Sequence, residues 1–187
     1  MKAYAASASE ARMSGCEKPV VTNSGSGNQG ITASVPIIIL AEQMAIGEEK
    51  TYRALALSNL LTIYQKSHIG RLSPFCGVVS AGAAAGGAIT YLFGGGKDAI
   101  AETLNNTLAN VAGIICDGAK ATCAMKICSA LDAGWLASKI AIKHRNYPAG
   151  TGIIGKSADD TIISAGKLAT EGMVSTEEHL MNTILRH

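Results

Sequence analysis

Apolar residues along this chain recur at steps of three and four, the spacing that lines one face of a helix. Leu57, Leu60, Leu61 and Tyr64 follow it, and so do Ile100, Leu104, Leu108 and Val111. Between these runs stand the glycines, prolines and small polar residues that end helices. A first helix is predicted from about Ala5 to Met13, ending near Gly15. Cys16 to Asn28 reads as an extended loop with Pro19 inside it. A helix follows from about Ile31 to Gly47, with Pro36 near its first turns, where a missing N–H costs least. The next runs from about Glu48 to Ser67, and Gly70 to Pro74 is a turn. Cys76 opens a Gly/Ala helix that Gly94-Gly95-Gly96 ends, and another helix starts near Asp98. Asp117-Gly118 is a turn pair. A long helix then reaches about His144, where Asn146 to Gly150 breaks the pattern. Ser157 with Asp160, and Ser175 with Glu178, are capping-box pairs for two last helices. There is no alternating strand pattern of useful length and no repeat. The expectation is an all-α fold: one domain over residues 1–187, with about seven to eight helices and Gly-rich loops.

One stretch has two readings. From Leu72 to Gly96 no residue is charged, and Gly82-Ala83-Ala84-Ala85-Gly86 matches the small-xxx-small pattern of close helix packing. It reads as a membrane span or as a helix buried in a soluble protein. The glycines between Phe75 and Gly95 favour the buried helix, because they lower its hydrophobicity well below that of a Leu-rich span.

Composition narrows the function classes. Aromatic residues make up 4% of the 187 positions, so the core is built from small residues packed closely. The formal net charge is +2, and the basic residues do not cluster, which leaves no electrostatic footprint for nucleic acid. The first residues, Met1 to Ser7, lack the long apolar core of a cleavable signal. With five cysteines, an odd number, the expected setting is the reducing cytoplasm, where cysteines serve as ligands or buried thiols.

Three of those cysteines stand out, each near a glycine: Phe75-Cys76-Gly77, Cys116-Asp117-Gly118, and Cys123 after Gly118-Ala119-Lys120-Ala121-Thr122. On an unbroken helix, Cys116 and Cys123 would lie about 10.5 Å apart along the axis, wide for one compact site. The Asp117-Gly118 turn changes this: Cys116 falls in a loop and Cys123 in the first two turns of the next helix. Cys76 also begins a helix, so two helix N-termini would favour thiolates. Two readings remain open: ligands of a metal site, or small buried residues of an Ala/Gly-rich core. A zinc site lacks an obvious fourth ligand. Cys128 lies about 140° round the helix from Cys123 and reads as core. His68, His144 and His179 read as surface or core histidines, and Lys120 and Lys126 as solvated positions.

Upstream lies a polar glycine segment: Asn23, Ser24, Gly25, Ser26, Gly27, Asn28, Gln29 and Gly30. No Gly-Lys-Ser/Thr follows, so it is not a P-loop, and no strand precedes it, as a dinucleotide fingerprint requires. Its glycines allow close backbone approach, its side chains offer donors, and the next helix adds its N-terminal field. This suits a carboxylate. A plain flexible loop has the same composition.

Taken together and in this order, Asn-Ser-Gly-Ser-Gly-Asn-Gln-Gly, Phe-Cys-Gly and Cys-Asp-Gly-Ala-Lys-x-x-Cys resemble the iron–sulfur L-serine dehydratase alpha-chain family, in the branch of the L-cysteine desulfidases. The resemblance covers the chain from about Ala8 onward. It implies a [4Fe-4S] cluster held by Cys76, Cys116 and Cys123, with one iron open as a Lewis acid. It implies β-elimination of L-serine or L-cysteine to pyruvate and ammonia, with substrate held by Asn23, Ser24, Gly25, Ser26, Gly27, Asn28 and Gln29. Family members are about twice as long, and this chain corresponds to their C-terminal half. A cysteine of the N-terminal half is thought to serve in proton transfer, and Cys16 cannot be equated with it. The partners implied are that missing half or a second copy. No catalytic residue is identified. The other readings are a non-catalytic helical metabolite-binding domain and a small helical membrane protein.

Overall fold

The computed structural model describes residues 1–70 and 73–186; Leu72, the first residue of the uncharged stretch, lies outside them. Among the described residues the chain forms eight α-helices and no sheet: α1 (Lys2–Met13), α2 (Gly27–Gln43), α3 (Glu48–Ile69), α4 (Gly77–Leu92), α5 (Lys97–Val111), α6 (Cys123–Ala141), α7 (Ala158–Lys167) and α8 (Val174–Ile184). A π-helical turn, Leu168–Gly172, joins the last two. The all-α expectation holds.

The Gly/Ala helix α4 is the axis of the molecule. Every residue from Gly77 to Thr90 is buried, enclosed by α2, α3, α5 and α6. Its small residues let neighbours approach to backbone contact. A Cβ added at Gly82 would lie 2.7 Å from the Ala130 Cβ, and one added at Gly86 would lie 2.8 Å from the Gly134 Cα. Gly82 therefore meets Ala130 while Gly86 meets Gly134, so α4 and α6 run in the same direction with a constant offset (130 − 82 = 134 − 86 = 48). The Cys76–Cys123 separation is almost equal to it (123 − 76 = 47). In-register packing thus sets the starts of the two helices, and with them two of the cysteines, at one end of the fold. No helix among the described residues is long and apolar enough to cross a membrane, which counts against the membrane-span reading.

Elsewhere the sequence expectations shift in instructive ways. Helix α2 begins at Gly27, four residues before Ile31, because the Ser26 Oγ accepts the Gln29 N–H at 3.4 Å and caps it. Pro36 therefore stands in mid-helix. Helix α2 ends at Gln43, and Gly47 is the N-cap of α3. Helix α3 turns a polar stripe inward. The Ser58 hydroxyl donates to Ala33 O at 2.6 Å, and the Gln65 amide to Ser80 O at 3.0 Å. Leu60 and Tyr64, which follow the helical spacing, are exposed. The Ser157 cap on α7 is present, accepting the Asp160 N–H at 3.1 Å. Ser175 is not a cap: α8 starts at Val174 and buries none of its residues.

Candidate functional site

The cysteine site starts from a single antiparallel bridge between two loop segments, Phe75 opposite Ile115. The Cys76 N–H donates to Ile114 O at 3.1 Å and the Cys116 N–H to Pro74 O at 2.6 Å. Two residues 40 positions apart are thereby set side by side. The Cys76 thiol beside it holds the Cys116 thiol down to about 6, against the opposing effect of burial. The Cys116 side chain, together with burial, pushes the Cys76 thiol up. Cys76 caps α4 and Cys123 is the first residue of α6. The Cys123 sulfur is buried; it accepts the Lys120 N–H at 3.5 Å and faces Gly118 O at 3.6 Å. No three His, Cys, Asp or Glu side chains among the described residues are grouped to hold a single metal ion.

Lys126 ties this site together. Sequence reading places it in solvent, yet it is half-buried at the end of the first turn of α6. Its ammonium donates to Ile115 O at 3.0 Å and to the Asp117 carboxylate, gripping both flanks of Cys116. Burial works against its charge. The Asp117 hydrogen bond and the Cys76 and Cys123 thiols outweigh that, so its pKa is raised. Its field also lowers Cys116. All three candidate ligands thus face one ammonium. Lys126 follows Cys123 by three residues, which places the two on one helix face, but that spacing alone does not show that its ammonium reaches back over the Cys116 loop. A second lysine, Lys66 near the end of α3, is buried and acts by charge on Cys116 and Cys76. Desolvation lowers its pKa, and the two thiols oppose that. Cys128 is half-buried and stands apart from the hydrophobic core.

The polar glycine segment is a tight turn followed by a helix start. Asn23 and Ser26 exchange backbone hydrogen bonds at 3.1 and 3.0 Å, across Ser24 and Gly25, both with positive φ (50° and 83°). The Asn23 amide donates to Asn59 Oδ1 at 2.9 Å, and the Ser24 hydroxyl to Asn23 Oδ1 at 2.8 Å. Arg12 of α1 crosses the first turn of α2 and donates to Asn28 Oδ1 at 3.1 Å. Gly27 leaves it the space, since a Cβ there would lie 2.6 Å from the Arg12 Nε. The Gln29 amide rests on the first residue of α4: a Cβ at Gly77 would lie 2.5 Å from its Nε2. Through this contact the polar segment adjoins Cys76. The starts of α2, α4 and α6, with two lysines, form a positive setting suited to thiolates and carboxylates.

Comparison with known proteins places these features in context. The model of the serine dehydratase alpha chain family matches residues 1–182. The chain is 52% identical to a UPF0597 protein of Lachnoclostridium phytofermentans over 184 residues, covering 98% of this chain and 44% of that protein. It is 52% identical to one from Desulfitobacterium hafniense, covering 98% and 43%, and 48% identical to one from Treponema denticola, covering 97% and 42%. The chain therefore spans less than half the length of these curated relatives. No solved structure matches it.

Proposed function

The chain belongs to the serine dehydratase alpha chain family, and from that premise we propose that it is the cluster-binding part of a lyase. The reaction is β-elimination of L-serine or L-cysteine, giving pyruvate and ammonia, with water or sulfide as the second product. The observation that carries the reading is the arrangement of Cys76, Cys116 and Cys123. A loop bridge pairs the first two, the α4–α6 register brings the third to the same end of the fold, and Lys126 faces all three.

The donor set fits a [4Fe-4S] cluster better than a single ion. Soft thiolates are the usual ligands of iron–sulfur clusters, and the three cysteines are not grouped closely enough to hold a single metal ion. When bound, the cluster supplies a Lewis-acidic iron for the leaving group. The chain's own residues do the rest. Cys116 is poised as a thiolate near neutral pH. Lys126 offsets the accumulated negative charge and holds the Cys116 loop in place. The Asn23–Gln29 segment and the start of α2 offer a positive field to a substrate carboxylate. The partner is the remaining portion of the relatives' length, joined to this chain or supplied separately, or else a second copy. Reduced thiols of this kind suit the cytoplasm.

The test is anaerobic reconstitution of the chain with iron and sulfide. A broad visible absorption is expected, lost in Cys116→Ser and retained in Cys128→Ser. The reconstituted chain is then assayed for pyruvate from a panel of β-substituted amino acids, alone and with the complementary portion of a relative. Equal loss of absorption in both variants overturns the ligand assignment. Absence of pyruvate from every amino acid, with the complementary portion present, overturns the lyase reading.

A further inference from the structure

The hydroxyls and amides that make the polar glycine segment look like a substrate cradle are already engaged. Asn23 is spent on Asn59, Ser24 on Asn23, Ser26 on capping α2, and the Asn28 oxygen on Arg12. These side-chain contacts are structural, while the backbone start of α2 keeps the positive field described above. Among the described residues, the Gln65 Oε1 and Ser80 Oγ at the α3–α4 contact have no partner, and two further polar groups next to the Cys76–Gly77 start of α4 are not spent. Gln29 is 7% exposed, its amide lies against Gly77, and its Oε1 is shut from solvent with no hydrogen-bond partner. Buried carbonyl oxygens are rarely left in that state. The second group is the ammonium of Lys66, a residue 6% exposed.

The placement of Lys66 follows from the helix pair that carries it. The adjacent Gln65 donates to Ser80 O at 3.0 Å, which pins the end of α3 to the first turn of α4. Lys66 therefore sits beside the Cys76 end of α4, within the field of Cys76 and Cys116. Its ammonium forms no hydrogen bond and no ion pair with a described residue. A buried ammonium calls for an anion. Lys126 differs in this respect, because Asp117 already answers its charge.

Resting on the lyase reading above, we propose that Lys66 receives the α-carboxylate of the amino-acid substrate and the Gln29 Oε1 receives its α-ammonium. Among the described residues, an unpaired cation and an unpaired acceptor both adjoin the start of α4, and an α-amino acid carries the complementary pair on one carbon. Held by both, a small amino acid keeps its β-substituent free to turn toward the thiols. Molecules with only one of the two charged groups lose one of the two contacts.

The test separates binding from turnover. L-alanine has both charged groups and no leaving group; propionate lacks the amine, and ethylamine lacks the carboxylate. Binding of each to the anaerobically reconstituted chain is followed by ligand-observed NMR. Lys66→Met is expected to weaken L-alanine and propionate about 30-fold, the effect of losing a charge-assisted bond, and to leave ethylamine unchanged. Lys66→Arg restores most of that loss. Gln29→Leu weakens L-alanine and ethylamine but not propionate. The visible absorption and far-ultraviolet circular dichroism stay as in the parent chain. If Lys66→Met does not fold, Lys66→Gln takes its place in the same comparison. Unchanged L-alanine binding in the Lys66 variant, or no L-alanine binding by the parent chain, overturns the proposal. Lys66-dependent L-alanine binding without pyruvate from any substrate instead overturns the lyase reading and leaves this one standing.

Discussion

Cys116 illustrates how much chemistry one neighbour can impose. The neighbouring Cys76 thiol brings its thiol to about 6, with help from Lys126, while Cys76 moves the other way. In metal-free protein, Cys116 is protonated below that value and a thiolate above it. Its alkylation by iodoacetamide should therefore rise through a midpoint near pH 6, with Cys76 unreactive across the same range. Peptide mass spectrometry after short exposures at stepped pH reads both. Lys126→Met should shift the Cys116 midpoint upward, since the lysine's charge is one of the influences holding it down. The three cysteines were legible in the sequence through their glycine neighbours and their order. The lysines were not. A lysine on a helix looks solvated until the tertiary fold shows that Lys126 reaches back over the Cys116 loop and that Lys66 lies on the buried stripe of α3.

At the scale of elements, the sequence located most helices and mistook several of their ends. The Gly/Ala helix, its start at Cys76 and the Ser157 cap were readable from composition and local chemistry. The start of α2 was hidden, because glycines that look like loop are there to admit Arg12 and the preceding backbone. The inward face of α3 was hidden too. Its Ser and Thr hydroxyls and its Gln amide find backbone acceptors, so burial did not follow hydrophobicity. Two matched pairs of variants test this account by thermal unfolding. Ser157→Ala, which loses a cap, should cost about 1 kcal/mol, whereas Ser175→Ala, inside exposed α8, should stay within about 0.5 kcal/mol. Gly134→Ala would place a Cβ 2.5 Å from the Gly82 carbonyl oxygen and should cost about 2 kcal/mol or more. Gly113→Ala meets nothing within 4 Å and should be near neutral.

For the whole molecule, the all-α class was evident from periodicity, but the parallel course of α4 and α6 was not, since no local pattern encodes which way two distant helices run. Nor could the sequence show a cavity of about 430 Å³ between α1, α2 and the segment after Cys16, walled by Val20, Val21, Ile31, Val35 and Ile38. If the complementary portion of the relatives docks on this apolar wall, Ile38→Glu should abolish its co-elution with the chain in gel filtration and leave the melting temperature unchanged.

The constant offset between α4 and α6 has a consequence for insertions and deletions. Where helices touch backbone to backbone, a thiol's position is counted in residues from the contact glycine. One residue added between Cys76 and Gly82 turns that cysteine by about 100° and moves it about 1.5 Å along the axis. If the three thiols hold the proposed cluster, an alanine inserted after Val79 should therefore abolish its absorption while helix content is kept. Two glycines added within Gly94–Gly96, beyond the contact, should leave absorption intact. Changes in chain length are thus tolerated in the connections and forbidden in the two short stretches that lead from the thiols to the crossing.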